Sequence, residues 1–185
     1  MTATLPFVAT VSLLVLVSSA DAVPPNTEIV PGKSVGAITL GEPLSRVERH
    51  LGESELGDTA MGRFWEVWPI DKHGGTIGVF CRRPDQHTFV VERIRSTSTR
   101  YSLANSIGIG SKFMDIQQRF PDLVRIATYY SDQRQQQIEV YDSANRGIAF
   151  EIALAHAHPS ARCTAFIIHV PKSTIHVRGD QLDQW

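Results

Sequence analysis

The sequence predicts an α+β protein. Two tandem units, each a short helix followed by an antiparallel meander, are expected to form one sheet with helices on one face. Three observations predict this. One pattern occurs twice: Ile38-x-Leu40-Gly41-x-x-Leu44-x-x-Val47-x-x-x-Leu51 returns as Ile107-x-Ile109-Gly110-x-x-Phe113-x-x-Ile116-x-x-x-Phe120, at a constant offset of 69 residues. The apolar positions that close each copy fall three and four apart, the spacing of one helix face. Each copy then runs into short stretches rich in β-branched and aromatic residues, punctuated by Gly, Pro, Asn and Asp, which read as strands and turns. A repeat decides architecture before other signals do. Neither unit alone has much core, so the two are expected to sit side by side, leaving the second face of the sheet open to solvent or to a partner.

Residues 1–22 read as a signal peptide. Leu5 to Val17 is almost wholly apolar, and Ala20-Asp21-Ala22 fits the small-x-small cleavage rule. The apolar run is shorter than the roughly 20 residues a membrane-spanning helix needs, so no stable membrane span is expected after cleavage. The predicted mature chain is Val23–Trp185. Losing Asp21 leaves its 18 basic residues balanced by as many acidic ones. That neutrality argues against nucleic-acid binding, which rests on a basic excess. Export and neutral charge together predict a periplasmic or secreted protein.

Residues 23–34 hold three prolines and read as an extended lead-in. The first unit spans 35–100. Pro43 suits the first turn of its helix, Leu44, Val47 and Leu51 form the inward face, and Gly52 is placed as a C-terminal cap. Strands are predicted at Phe64–Ile70, Thr76–Arg82 and Thr88–Thr97, the last with Phe89, Val91 and Arg93 on one face. The second unit spans 101–172. Ser111 is a good N-cap, and Phe113, Ile116 and Phe120 face inward. Strands follow at Leu123–Tyr130, Gln136–Tyr141, Ile148–Ala155 and Cys163–Val170. Glu139-Val140-Tyr141 echoes Glu66-Val67-Trp68, which sets the two glutamates at equivalent points. The tail, 173–185, shows no core pattern apart from Ile175 and Val177.

This order of elements resembles the β-lactamase inhibitory protein fold and the small outer-membrane lipoprotein of the SmpA/OmlA type, which has a single such unit. The resemblance covers roughly residues 35–170 and rests on the duplicated Ile-x-Leu-Gly segments. It implies the tandem architecture and a sheet used as a binding surface. No functional residue carries over, because the matched positions are core positions.

Candidate chemistry is sparse. His156-Ala157-His158 in an extended segment puts both imidazoles on one side, spaced for a metal, but the ligand set is incomplete. Gly-x-Ser-x-Gly does not occur. Cys81 and Cys163 lie in or beside apolar runs; in an exported protein two cysteines permit one disulfide. No cofactor is expected. Trp65 and Trp68 point to opposite faces of a regular strand, as do Tyr129 and Tyr130. One of each pair, with Tyr141, is expected on the open face, where exposed aromatics mark a binding surface. The sequence therefore predicts an exported, non-enzymatic binding module that captures a protein through a sheet face or inter-unit groove. The alternatives are a small metal-dependent or other enzyme using His156 and His158, and a structural cell-envelope protein.

Overall fold

A computed structural model describes residues 26–175 apart from 55, 61–62, 86, 133 and 155–160. The predicted signal peptide, His156, His158 and the tail from 176 on, Val177 included, lie outside the described residues. The α+β expectation is corrected: among the described residues the protein is mostly β, with 48% strand and 11% helix. In chain order, β1 (Ile29–Val30), β2 (Ser34–Val35) and β3 (Ile38–Thr39) precede α1 (Leu44–Leu51). Then come β4 (Leu56–Ala60), β5 (Arg63–Pro69), β6 (Thr76–Arg82), β7 (Val90–Ser96) and α2 (Phe113–Arg119). The last four are β8 (Val124–Ser131), β9 (Gln136–Ser143), β10 (Ile148–Ala153) and β11 (Arg162–His169). The first three strands make a small sheet of their own, and the other eight form one antiparallel sheet in the order β4-β5-β6-β7-β11-β10-β9-β8. The predicted lead-in is therefore structured, since β1 and β2 begin within it.

The helices do not form a layer on one face of the sheet. Length is the reason. An eight-residue helix is about 12 Å long, whereas the seven spacings of an eight-stranded sheet come to about 34 Å. Each helix is instead pinned by two buried side chains, Leu44 and Val47 in α1, Phe113 and Ile116 in α2. Pro43 and Lys112 are the N-cap residues, both extended. Ser111 is not the cap; its hydroxyl accepts the Gly108 N–H at 3.0 Å. Gly52 caps α1 with φ 87°, its N–H on the Glu48 carbonyl. Among the described residues no helix is long and apolar enough to cross a membrane.

The two halves make the same ties. Gly41 N–H donates to the Val91 carbonyl at 2.7 Å, and Gly110 N–H to the Cys163 carbonyl at 2.8 Å. Leu44 N–H meets the Phe89 carbonyl as Phe113 N–H meets that of Ala161. Both glycines have positive φ, 82° and 86°, the conformation that glycine adopts without steric cost. Each half carries a bulge at a matching place, Phe80/Cys81 and Glu151/Ile152. The halves join through β7 and β11, where Ser96 pairs with Phe166, Ile94 with Ile168, and Arg95 with Ile167 between them. Counting from the bulges matches Val79 with Phe150, whose partners are Glu66 and Tyr141. The sequence echo of Glu66 and Glu139 is thus displaced by two residues, and these carboxylates stand on strands near opposite ends of the sheet.

The main core lies against one face of the large sheet. Ile77, Val79, Ile94, Phe150, Phe166 and Ile168 pack there with the helix anchors and with Ile29, Val35 and Ile38. The second face is not open, which corrects the expectation of a free sheet surface. Val67, Val140, Ala149 and Ile167 are all buried, and Ile175 packs on this side with Val140, Ala149 and Ile167.

Candidate functional site

The five aromatics singled out from the sequence do not share a surface. Trp68 is in the main core, 3% exposed, and its Nε1–H donates to the Gly52 carbonyl at 2.9 Å. Tyr141 stacks on Phe113 at 4.4 Å between ring centroids and donates its hydroxyl to Glu139 at 2.7 Å. Burial and that hydrogen bond push its phenol up to about 12. Trp65 and Tyr129 are half-buried on the second face, and Tyr129 donates to Glu151 Oε2 at 3.1 Å. Tyr130 alone of the five is exposed.

The cysteines are free and buried. Cys81 is on β6 and Cys163 on β11, with β7 between them. Strands two places apart lie nearly 10 Å apart, beyond the roughly 7 Å at which a disulfide closes, so the disulfide that two cysteines permit is not formed. Burial foremost, then the charge of Glu66, drives the Cys81 thiol up to about 12. Burial, reinforced by Glu151, raises Cys163 as well. Neither offers a thiolate near neutral pH, which nucleophilic chemistry requires.

No local pattern announces the polar groups in the interior. Arg95 on β7 and Glu151 on β10 form a two-pronged ion pair, Nε to Oε1 and Nη2 to Oε2, each at 2.7 Å. Their side chains are 4% and 2% exposed. The pair reaches across β11, where Ala165 is too small to block it. Burial opposes the guanidinium charge, but the Glu151 carboxylate and its hydrogen bonds outweigh it and raise Arg95 above its ordinary value. Near one end of the sheet Glu139 accepts from Arg125 and Tyr141.

His169, fully buried, lies between Asp142 and Ser173, an arrangement that superficially matches a hydrolase triad. Its Nε2 is 3.0 Å from Asp142 Oδ1, and its Nδ1 is 3.0 Å from the Val170 carbonyl and 3.2 Å from Ser173 Oγ. The serine proton is directed elsewhere than at the imidazole: Ser173 donates to the Val170 carbonyl at 2.6 Å. The trio ties down the chain after β11 rather than activating a nucleophile. Among the described residues no three His, Cys, Asp or Glu side chains gather as a metal site.

Among the described residues Glu66 is a buried carboxyl without a countercharge beside it in the sheet, unlike Glu139 and Glu151. It is 8% exposed, and its Oε2 has no hydrogen-bond partner among the described residues. Burial foremost, with the charge of Glu48 on α1 adding to it, pushes its carboxyl up to about 7. The fold therefore favours the protonated form. Stability from this group is complete below the ordinary carboxyl range and is lost as pH rises through about 7. Compared with Glu66→Gln, the natural chain is expected to lose about 2 kcal/mol of unfolding free energy between pH 4.5 and pH 8.5. Urea titrations at both pH values measure it; the same gap at both would place the carboxyl in water.

Two surface features remain. The two edges of the large sheet differ. β4 is five residues long with Gly57 and Asp58 in it, whereas β8 runs for eight and exposes Val124 (63%), Ile126 (40%) and Tyr130 (55%). A cleft of about 350 Å³ also opens between the β1 arm and the C-terminal end of α2.

No protein-family model matches the chain, and no curated protein matches it. Among solved structures it is similar to a DUF4309 family protein (YjgB) from Bacillus subtilis subsp. subtilis str. 168. The identity is 11%, the match covers 75% of this chain and 88% of that one, and the TM-score is 0.46.

Proposed function

We propose that the chain is an exported, non-enzymatic binding module that takes an extended, uncharged, apolar segment of a partner protein along β8. The observation that carries this reading is the edge strand itself. Exposed edges are normally blunted by short length, charge or proline. β4 follows that rule. β8 has eight residues, no proline and one charge, Arg125, which Glu139 neutralises; a bulge at Ile126 is its one irregularity. Backbone pairing along such an edge supplies affinity, and flanking apolar side chains supply selectivity. With its charge already matched, the edge suits a neutral apolar strand better than a charged one. The apolar run Leu5–Val17 supports export, and N-terminal sequencing that begins at Val23 would agree with it.

Phage-displayed ten-residue peptides selected on the immobilised full chain test the site. Selected peptides are expected to be neutral and apolar, and to lose about tenfold or more in affinity when alternate backbone amides are N-methylated. Val124→Lys with Tyr130→Lys should weaken binding similarly. Binding indifferent to both changes would overturn the reading. So would a dimer, seen by light scattering, that the same two substitutions dissolve, because the occupant would then be a second copy of the chain.

A further inference from the structure

The cleft beside β1 is a different surface, and its walls carry both signs of charge. Its floor is apolar: Ile29, Leu103 and Phe120 line it and are 3%, 7% and 3% exposed. Arg119, from the last turn of α2, and Arg146, from the turn between β9 and β10, stand at the rim and are exposed. Arg146 is held in place. Its guanidinium lies over the Phe120 ring at 5.1 Å, its Nη1 donates to the Arg119 carbonyl at 3.3 Å, and its Nε faces Asp122 at 3.6 Å. A guanidinium fixed on an aromatic ring presents its remaining donors in a set direction, which suits a carboxylate. Glu28 contributes the cleft's acidic group.

The charges are separated along β1. Gly32, just past the strand, donates to the Gly147 carbonyl at 3.1 Å, which sets Arg146 at that end. Glu28, just before the strand, bridges to Ser102 and sets the carboxylate at the other. The two-residue strand and the start of the turn at 31–33 lie between these two anchor points.

We infer that this cleft is a second binding site, for a small apolar zwitterion: an amino acid or dipeptide with a bulky aliphatic or aromatic side chain. Arg119 and Arg146 receive its carboxylate, Glu28 its ammonium group, and the Ile29, Leu103 and Phe120 floor its side chain. The volume suits a ligand of this size, since small-molecule pockets begin near 300 Å³.

Calorimetry and ligand-observed NMR on the full chain test it, using L-leucine and L-leucyl-L-leucine as probes, with leucinamide and N-acetyl-leucine as controls that each lack one charge. At least one zwitterion is expected to saturate the protein below about 10 mM, and to bind about tenfold or more tightly than leucinamide. Which zwitterion binds tighter identifies the source. Arg119→Gln should remove most of that advantage. Glu28→Gln should weaken the zwitterions while leaving N-acetyl-leucine unchanged. Both side chains are exposed, so unaltered thermal melting is the check on folding. Leucinamide binding as well as leucine, affinity unmoved by Arg119→Gln, or no saturation by either zwitterion would overturn the inference. Because the cleft and the β8 edge are probed with different ligands and different substitutions, peptide capture at β8 succeeds or fails independently of these results.

Discussion

Replacing Glu151 with Ala is expected to lower the unfolding free energy by about 3–5 kcal/mol. The large effect comes from what is left behind. Arg95 is 4% exposed, and without its carboxylate the guanidinium must remain charged in a dry place or drag water between β7 and β10. Arginine does not escape by losing its proton. The carboxylate also accepts from Tyr129, so one substitution strips partners from two side chains. Tyr129→Phe, which removes one neutral donor, should cost only about 1 kcal/mol. Exchanging both charges, Arg95→Met with Glu151→Leu, should recover most of the loss, because a buried ion pair stabilises little beyond a well-packed apolar pair. Urea unfolding of the three variants decides it. A loss under about 1 kcal/mol for Glu151→Ala would mean that water reaches the pair.

Gly147→Ala is the second large effect. Gly147 has φ 71°, which costs an alanine about 1–2 kcal/mol. Space is the greater difficulty. A Cβ there would lie 2.3 Å from the His169 carbonyl oxygen and 2.8 Å from Gly32 Cα. Both are backbone atoms, and neither can rotate away. The same residue accepts the Gly32 and His169 N–H groups at 3.1 Å each, so displacing it loosens the small sheet and the end of β11 together. The expected loss is about 3 kcal/mol or more. Gly41→Ala is the control: its φ is 82°, but nothing lies within 4 Å of the added atom. It should show the backbone cost alone. Equal losses at the two sites, measured by thermal melting, would remove the steric part of the argument.

The helices were legible because their signal is local. Leu44 and Val47, Phe113 and Ile116 are buried where helical spacing places them, and Gly52 caps α1 as expected. β4 was not legible. Leu-Gly-Asp-Thr-Ala has no alternation, and its extended form comes from register with β5, Leu56 opposite Val67 through Ala60 opposite Arg63. The face of Arg93 was misread for a different reason. Period-two counting sets it with Phe89 and Val91. The bulge leaves Glu92 without a partner, since Phe80 pairs with Arg93 and Cys81 with Val91. One extra residue reverses the side on which everything beyond it points. Arg93 therefore lies over the Phe80 ring at 4.7 Å, and Arg95 follows it onto the second face.

That second face misled the sequence reading about binding. Arg95 and Glu151 look like solvated strand positions until register brings them together across β11. Once they are paired, the surface that was to present aromatics becomes interior. Tyr129 is drawn into the polar cluster, and Tyr130 is left exposed at the edge. The cleft residues Glu28, Arg119 and Arg146 lie far apart in sequence; the Gly32–Gly147 contact brings β1 to Arg146, and Arg146 reaches back to Arg119, pairings that no local pattern announces.

The order of the strands also sets an order in time. A ribosome delivers β4 to β7 first, and β7 is then an outer edge with unpaired backbone groups. Arg95 waits there for a carboxylate that has not been synthesised. β11, the last of the described strands to be made, must slip between β7 and β10 before the sheet is complete. The nascent chain is thus most vulnerable to misassembly at the place where the finished molecule is best sealed, and a chain cut short before β11 keeps both of those inner edges exposed.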